Sequence, residues 1–124
     1  MKEVLAKHTV SFRHAFAGLS WAIRTQPNFR IHLILSAIAL GFSWYFGITH
    51  TEWAIIIFAI VLGLTAELIN TAIESMTDLI TKEWREEAKI AKDVAAGMML
   101  TTAIGAVIVA CFIFLPYFGI IIHF

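Results

Sequence analysis

Long stretches without a single charge constrain this chain more than any other feature. Residues 31–51 and 94–124 contain no Lys, Arg, Asp or Glu, and residues 53–66 form a third such run. A charge in hydrocarbon is costly, and a helix needs about 20 apolar residues to cross a core about 30 Å thick. The first and last runs are long enough alone. The middle run continues with helical periodicity into residues 67–80, so its span is longer and polar at one end. Among 124 residues 60% are hydrophobic and 15% charged, and the mean hydropathy is +0.83. That balance predicts an all-α integral membrane protein: a single domain over 1–124, with three transmembrane helices at about 28–46, 52–80 and 91–118. No nucleic-acid partner is expected.

The zero net charge hides an asymmetry, because all nine basic residues fall in two segments. Lys2, Lys7, Arg13, Arg24 and Arg30 precede the first span, and Lys82, Arg85, Lys89 and Lys92 lie between the second and third. The positive-inside rule then puts the N-terminus and the 81–92 connector in the cytoplasm, and the first loop and C-terminus outside. Upstream of the first span, Phe12, Phe16, Leu19 and Ile23 fall within about 40° of Leu5 on a helix, with Lys7, His14 and Trp21 opposite. This predicts an amphipathic surface helix over about 4–24, lying on the inner leaflet among membrane lipids. The alternative is a helix packed on the rest of the protein. The lone cysteine, Cys111, lies in the third run and is expected to be a small packing residue.

Punctuation sets the boundaries. Pro27 disfavours helix at Gln26 and can open the next helix, Gly47 can stop it, and Thr51 is a candidate N-cap for the following one.

Within the second span, Glu67, Asn70, Glu74 and Asp78 fall at about 0°, −60°, −20° and +20°, a single narrow face. If Trp53 marks the outer interface, Glu67 lies about 21 Å inward and Glu74 about 32 Å inward. Glu74 then sits at the cytoplasmic boundary and Glu67 one to two turns deeper. Phosphoryl transfer needs a metal to bridge phosphate oxygens, cations for the transferring group and a base for the acceptor hydroxyl. Glu74 can hold magnesium, Lys92 can pair with phosphate, and the desolvated Glu67 suits general-base work on a lipid hydroxyl. Asn70 can orient Glu67 or serve as interhelical glue. His32 is a headgroup contact or a packing histidine. Asp78 and Glu83 read as solvated interface charges. No Walker-type phosphate loop, HRD or DFG triplet is present.

The segments ELINTAIESMTDLI (67–80) and AKIAKDVAAGMMLTTAI (88–104) closely resemble the prokaryotic diacylglycerol kinase family. NFRIH (28–32) and FLP (114–116) resemble its Gram-positive branch, whose members phosphorylate undecaprenol. The resemblance implies a homotrimer in the bacterial inner (plasma) membrane, with active sites formed between subunits and ATP as co-substrate. It implies Glu67 as catalytic base with Asn70 beside it, Glu74 as a Mg2+ ligand, and Lys92 and Asp93 as ATP contacts. Glu83 and Arg85 fall in the loop that holds the nucleotide base. The family's second metal-binding glutamate is replaced by Gln26, whose amide oxygen can ligate magnesium without adding charge. A glutamate of the diacylglycerol branch aligns with His32.

The expected function is therefore Mg2+- and ATP-dependent phosphorylation of a membrane lipid alcohol, undecaprenol first, with diacylglycerol, giving phosphatidic acid, as the alternative acceptor. A small proton-coupled transporter is the rival from another class. It needs only one deep carboxylate and leaves the Lys92-Asp93 pair unexplained. A non-catalytic assembly subunit is a third reading, which gains weight if Gln26 proves disabling.

Overall fold

The computed structural model describes residues 2–119, and these form helices joined by short turns. The chain runs as α1 (Lys2–Thr25), α2 (Pro27–Phe46), α3 (His50–Ile80) and α4 (Glu86–Phe114), followed by a 3-10 turn over Leu115–Phe118. Three segments, Pro27–Phe46, His50–Ile80 and Glu86–Phe118, are long and apolar enough to cross a membrane. All backbone groups of a helix pair within the segment, which is why an apolar chain of this kind adopts it.

Each break has a local cause. Gln26 is extended, with φ −100° and ψ 106°, and Pro27 opens α2 at a position whose missing N–H has no helical partner to lose. Gly47 ends α2 in the left-handed region at φ 60°, where a Cβ would be strained. The Gly47 amide donates to Trp44 O and the Ile48 amide to Ser43 O, both at 3.2 Å, a Schellman arrangement that satisfies the last carbonyls.

The N-cap of α3 corrects the sequence expectation. Thr49 occupies it instead of Thr51, because only Thr49 has a glutamate three residues on. The Glu52 amide donates to Thr49 Oγ1 at 3.3 Å, and the Thr49 amide donates back to Glu52 Oε2 at 2.8 Å. The helix of α4 begins at Glu86, where Glu86 and Glu87 complement the positive end of the helix dipole. Only a short non-helical connector over 81–85 is left between α3 and α4.

α4 packs chiefly on α3, α2 packs on α3 to a lesser extent, and α1 meets α2. A cluster of buried apolar side chains lies at the end of the bundle carrying the α2–α3 loop, where Ile48, Ile56, Ile113 and Phe114 are buried against Phe46, Trp53 and Val109. Phe46 and Phe118 meet edge to face at 4.8 Å between ring centroids. Tyr117 donates its hydroxyl to Glu52 Oε2 at 2.8 Å, tying the end of α4 to the start of α3. Lipid tails are as apolar as leucine, so such close packing and hydrogen bonds hold transmembrane helices together in place of water exclusion. Elsewhere large apolar side chains face outward, among them Phe58, Val61, Val94 and Leu100. Cys111 is exposed on α4, so it does not serve the packing role expected of it within the chain. On α1, Phe12, Phe16 and Ile23 are exposed, and so is Trp21 opposite them. The side chain of Leu5 lies outside the described residues.

Candidate active site

The polar stripe occupies one face of α3, and helical spacing alone places its members there. Glu67 is only 2% exposed and Asn70 6%, whereas Glu74 and Asp78 are exposed. The stripe therefore passes from a buried carboxylate to a solvent-facing one in about two turns. Asn70 Nδ2 donates to Glu74 Oε1 at 3.2 Å, so the two are directly linked. Glu67 Oε2 and Asn70 Oδ1 are buried and have no hydrogen-bond partner among the described residues. Buried polar atoms are paired in the great majority of cases, and two orphans side by side point to a group that completes them. Buried neighbours Thr71 and Thr77 flank the stripe, with Thr77 Oγ1 returned to Ile73 O at 2.7 Å.

Above Glu67 the same face of α3 turns apolar. Ile56, Ile60 and Gly63 lie at about −20°, +20° and −40° from Glu67 and line a cavity between α2, α3 and α4. The cavity measures about 360 Å³ and is lined almost wholly by apolar side chains. Its two hydroxyls are spent on their own helices, Ser36 Oγ on His32 O at 2.7 Å and Thr102 Oγ1 on Met98 O at 2.9 Å. His32 lines it as well and is part-buried.

At the opposite end of the stripe, charges are matched in pairs. Lys92 Nζ on α4 donates to Asp78 Oδ1 on α3 at 2.5 Å. Asp93 is paired with Lys89 one turn away on its own helix. Arg85 Nη2 lies 3.2 Å from Glu83 Oε2 in the connector. Arg85 also lines a shallow hollow of about 450 Å³ with Thr77, Thr81 and Ala88. Gln26 is part-buried at the head of α2, with Nε2 donating to Thr25 Oγ1 at 3.3 Å. Among the described residues no hydrogen bond or ion pair joins Gln26 to Glu74.

The structure thus brings Glu67, Asn70 and Glu74 into one linked stripe and delivers Lys92 to its lower end. Glu83 and Arg85 are brought together with each other. Other contacts lie outside the sequence expectations. The Thr49-x-x-Glu52 spacing is a capping-box signal carried by the sequence itself. The Asp78–Lys92 pair spans 14 residues and a turn, and no local pattern announces it.

The donor set bears on magnesium. Among the described residues no three His, Cys, Asp or Glu side chains converge as a ready-made cage. Mg2+ is usually bound by one or two carboxylates together with substrate phosphates, so an exposed Glu74 fits an ion that arrives with a nucleotide.

Residues 13–114 match the family model for prokaryotic diacylglycerol kinase. The chain is 43% identical over 108 residues to a diacylglycerol kinase of Synechocystis sp., covering 86% of this chain and 62% of that protein's length. It is 39% identical over 106 residues to an undecaprenol kinase of Bacillus subtilis, covering 86% of each chain. A diacylglycerol kinase of Escherichia coli is 27% identical over 122 residues. The match spans all three apolar helices, the whole α3 stripe and the Lys92-Asp93 pair, and on that extent the chain belongs to the prokaryotic diacylglycerol kinase family.

Proposed function

We propose that this protein transfers the γ-phosphoryl group of ATP to the hydroxyl of a membrane lipid alcohol, with undecaprenol as the acceptor. The observation that carries the reading is the buried Glu67 carboxylate with an unpartnered oxygen, linked through the Asn70 and Glu74 side of α3 to a water-exposed end. An intramembrane carboxylate marks a functional site by default, and this one lies where a lipid hydroxyl and a nucleotide phosphate can meet. The apolar cavity on the same helix face suits the hydrocarbon chain of such a lipid.

Glu67 accepts the proton of the lipid hydroxyl as its oxygen attacks the γ-phosphorus, and the bond from that phosphorus to the β,γ-bridging oxygen breaks to release ADP. Asn70 holds Glu74 through its amide nitrogen and presents its unpartnered oxygen towards the acceptor. Lys92 stabilises charge on the transferring group. Glu74, with Gln26 as a second, uncharged donor, would hold Mg2+, which neutralises phosphate charge when bound. Glu83 and Arg85 flank the nucleotide base, and Asp93 completes the nucleotide contacts. His32 lies at the lipid headgroup.

The working unit is a homotrimer whose neighbouring subunits close the site over the α3 stripe. In this reading α1 lies on the cytoplasmic leaflet with Phe12, Phe16 and Ile23 in the lipid, the N-terminus is cytoplasmic and the C-terminus outside.

Diacylglycerol is the second acceptor to consider, since the Synechocystis relative bears that activity in its name. The test uses purified protein, radiolabelled ATP, Mg2+ and the two lipids in competition. Label in undecaprenyl phosphate supports the reading, and label in phosphatidic acid shifts the acceptor. No label in the organic phase, together with proton-coupled flux in vesicles, replaces the kinase with a transporter.

A further inference from the structure

Lys92 is a long, flexible cation, and an isolated lysine would sample many rotamers at the membrane boundary. In this structure it has a partner. Its ammonium is held on Asp78 Oδ1 at 2.5 Å, across from its own helix. Asp78 lies one turn, about 6 Å, beyond Glu74 and on the same face of α3. The neighbouring Asp93, the other acid near Lys92 on α4, is occupied by Lys89. Asp78 is therefore the acid that the Lys92 ammonium meets in this structure.

Both partners are substantially exposed, with side-chain accessibilities of 39% for Lys92 and 64% for Asp78. Exposed ion pairs add little to stability. The apolar cluster at the α2–α3 loop end already holds α3 to α4. The pair is thus poorly explained as a brace for the fold.

We propose that Asp78 is the positioning residue for Lys92. It fixes the ammonium beside the Glu74 end of the stripe before the nucleotide arrives, with two of its three N–H groups left available to phosphate. A pre-placed cation stabilises developing charge without reorganising during the reaction. Asp78 carries a negative charge close to a triphosphate, so it weakens ground-state binding of the nucleotide even as it aids transfer. The role rests on the kinase reading above, and its signature is a split between turnover and nucleotide affinity.

The experiment is a double-mutant cycle in purified, full-length protein. Asp78→Asn is expected to lower kcat roughly tenfold or more, the scale on which displaced orienting groups cost activity, while KM for ATP stays level or falls. Asp78→Glu should recover part of the loss. In a Lys92→Met background Asp78→Asn should change nothing further. An unchanged kcat, an equal loss in both backgrounds, or a loss explained by lower thermal stability overturns the proposal.

A second readout needs no turnover. Acetic anhydride labelling followed by mass spectrometry compares Lys92 with the exposed Lys82. Asp78→Asn should speed acetylation of Lys92 severalfold relative to Lys82, and Mg-ATP should protect Lys92 in both proteins. Unaltered Lys92 reactivity in Asp78→Asn overturns the proposal. A parent protein that labels as expected yet phosphorylates no lipid overturns the kinase reading separately.

Discussion

Glu67 and Asn70 are residues whose burial outruns their hydrogen bonding. A glutamate that is 2% exposed with a carboxylate oxygen unpartnered is costly, and the cost is tolerated where the group acts on a ligand. Glu67→Gln keeps the shape and removes the base. We expect kcat to fall by about 10²- to 10⁴-fold with lipid binding retained, measured by initial phosphorylation rates and by binding of a fluorescent lipid analogue. Full activity would remove Glu67 from the chemistry. Gln26 tests the metal from the other direction. Gln26→Glu adds a charged oxygen donor at the head of α2, so in the proposed metal role half-maximal activity should be reached at lower Mg2+. A magnesium titration that superimposes on the parent's would show that Gln26 does not limit metal binding.

At the scale of elements, the ends of the helices carry more specific chemistry than their middles. The Thr49–Glu52 box satisfies the first amides of α3, and the same Glu52 carboxylate receives the Tyr117 hydroxyl from beyond α4. One side chain therefore serves a helix cap and an interhelical tie. Thr49→Ala should cost about 0.5–2 kcal/mol of stability, the usual range for a lost N-cap. Glu52→Ala, which removes the box and the tie together, should cost more than Tyr117→Phe. Thermal unfolding in detergent, followed by circular dichroism, ranks the three. An equal melting point for Glu52→Ala and the parent would deny the box any role. Gly47 carries the other device. At φ 60° an alanine there should destabilise the α2–α3 turn by about 1–2 kcal/mol, and the same melting measurement reads it.

The whole molecule leaves a great deal of apolar surface uncovered by its own chain. Phe58, Val61, Val94 and Leu100 face outward along α3 and α4, which suits lipid on some faces and a second copy on others. The orphaned atoms of Glu67 and Asn70 make the same case at the site. For the homotrimer proposed above, native mass spectrometry of the protein in detergent should find three copies, and a monomeric, fully active protein would refute the shared-site reading. Much of this was legible in the amino-acid order. Charge-free runs require apolar helices, Pro27 and Gly47 punctuate them, and a 3.6-residue repeat puts Glu67, Asn70, Glu74 and Asp78 on one face whatever surrounds them. Those are local properties, set by backbone geometry and the cost of charge in hydrocarbon. The placement of the cap at Thr49 is local too, but it depends on a hydrogen-bonded partner three residues away, which Thr51 lacks. What only tertiary structure decided is which charges meet and what is left unpaired. Asp78 finds Lys92 and Tyr117 finds Glu52 because α4 folds back along α3, and contacts across 14 and 65 residues leave no periodic trace in a sequence.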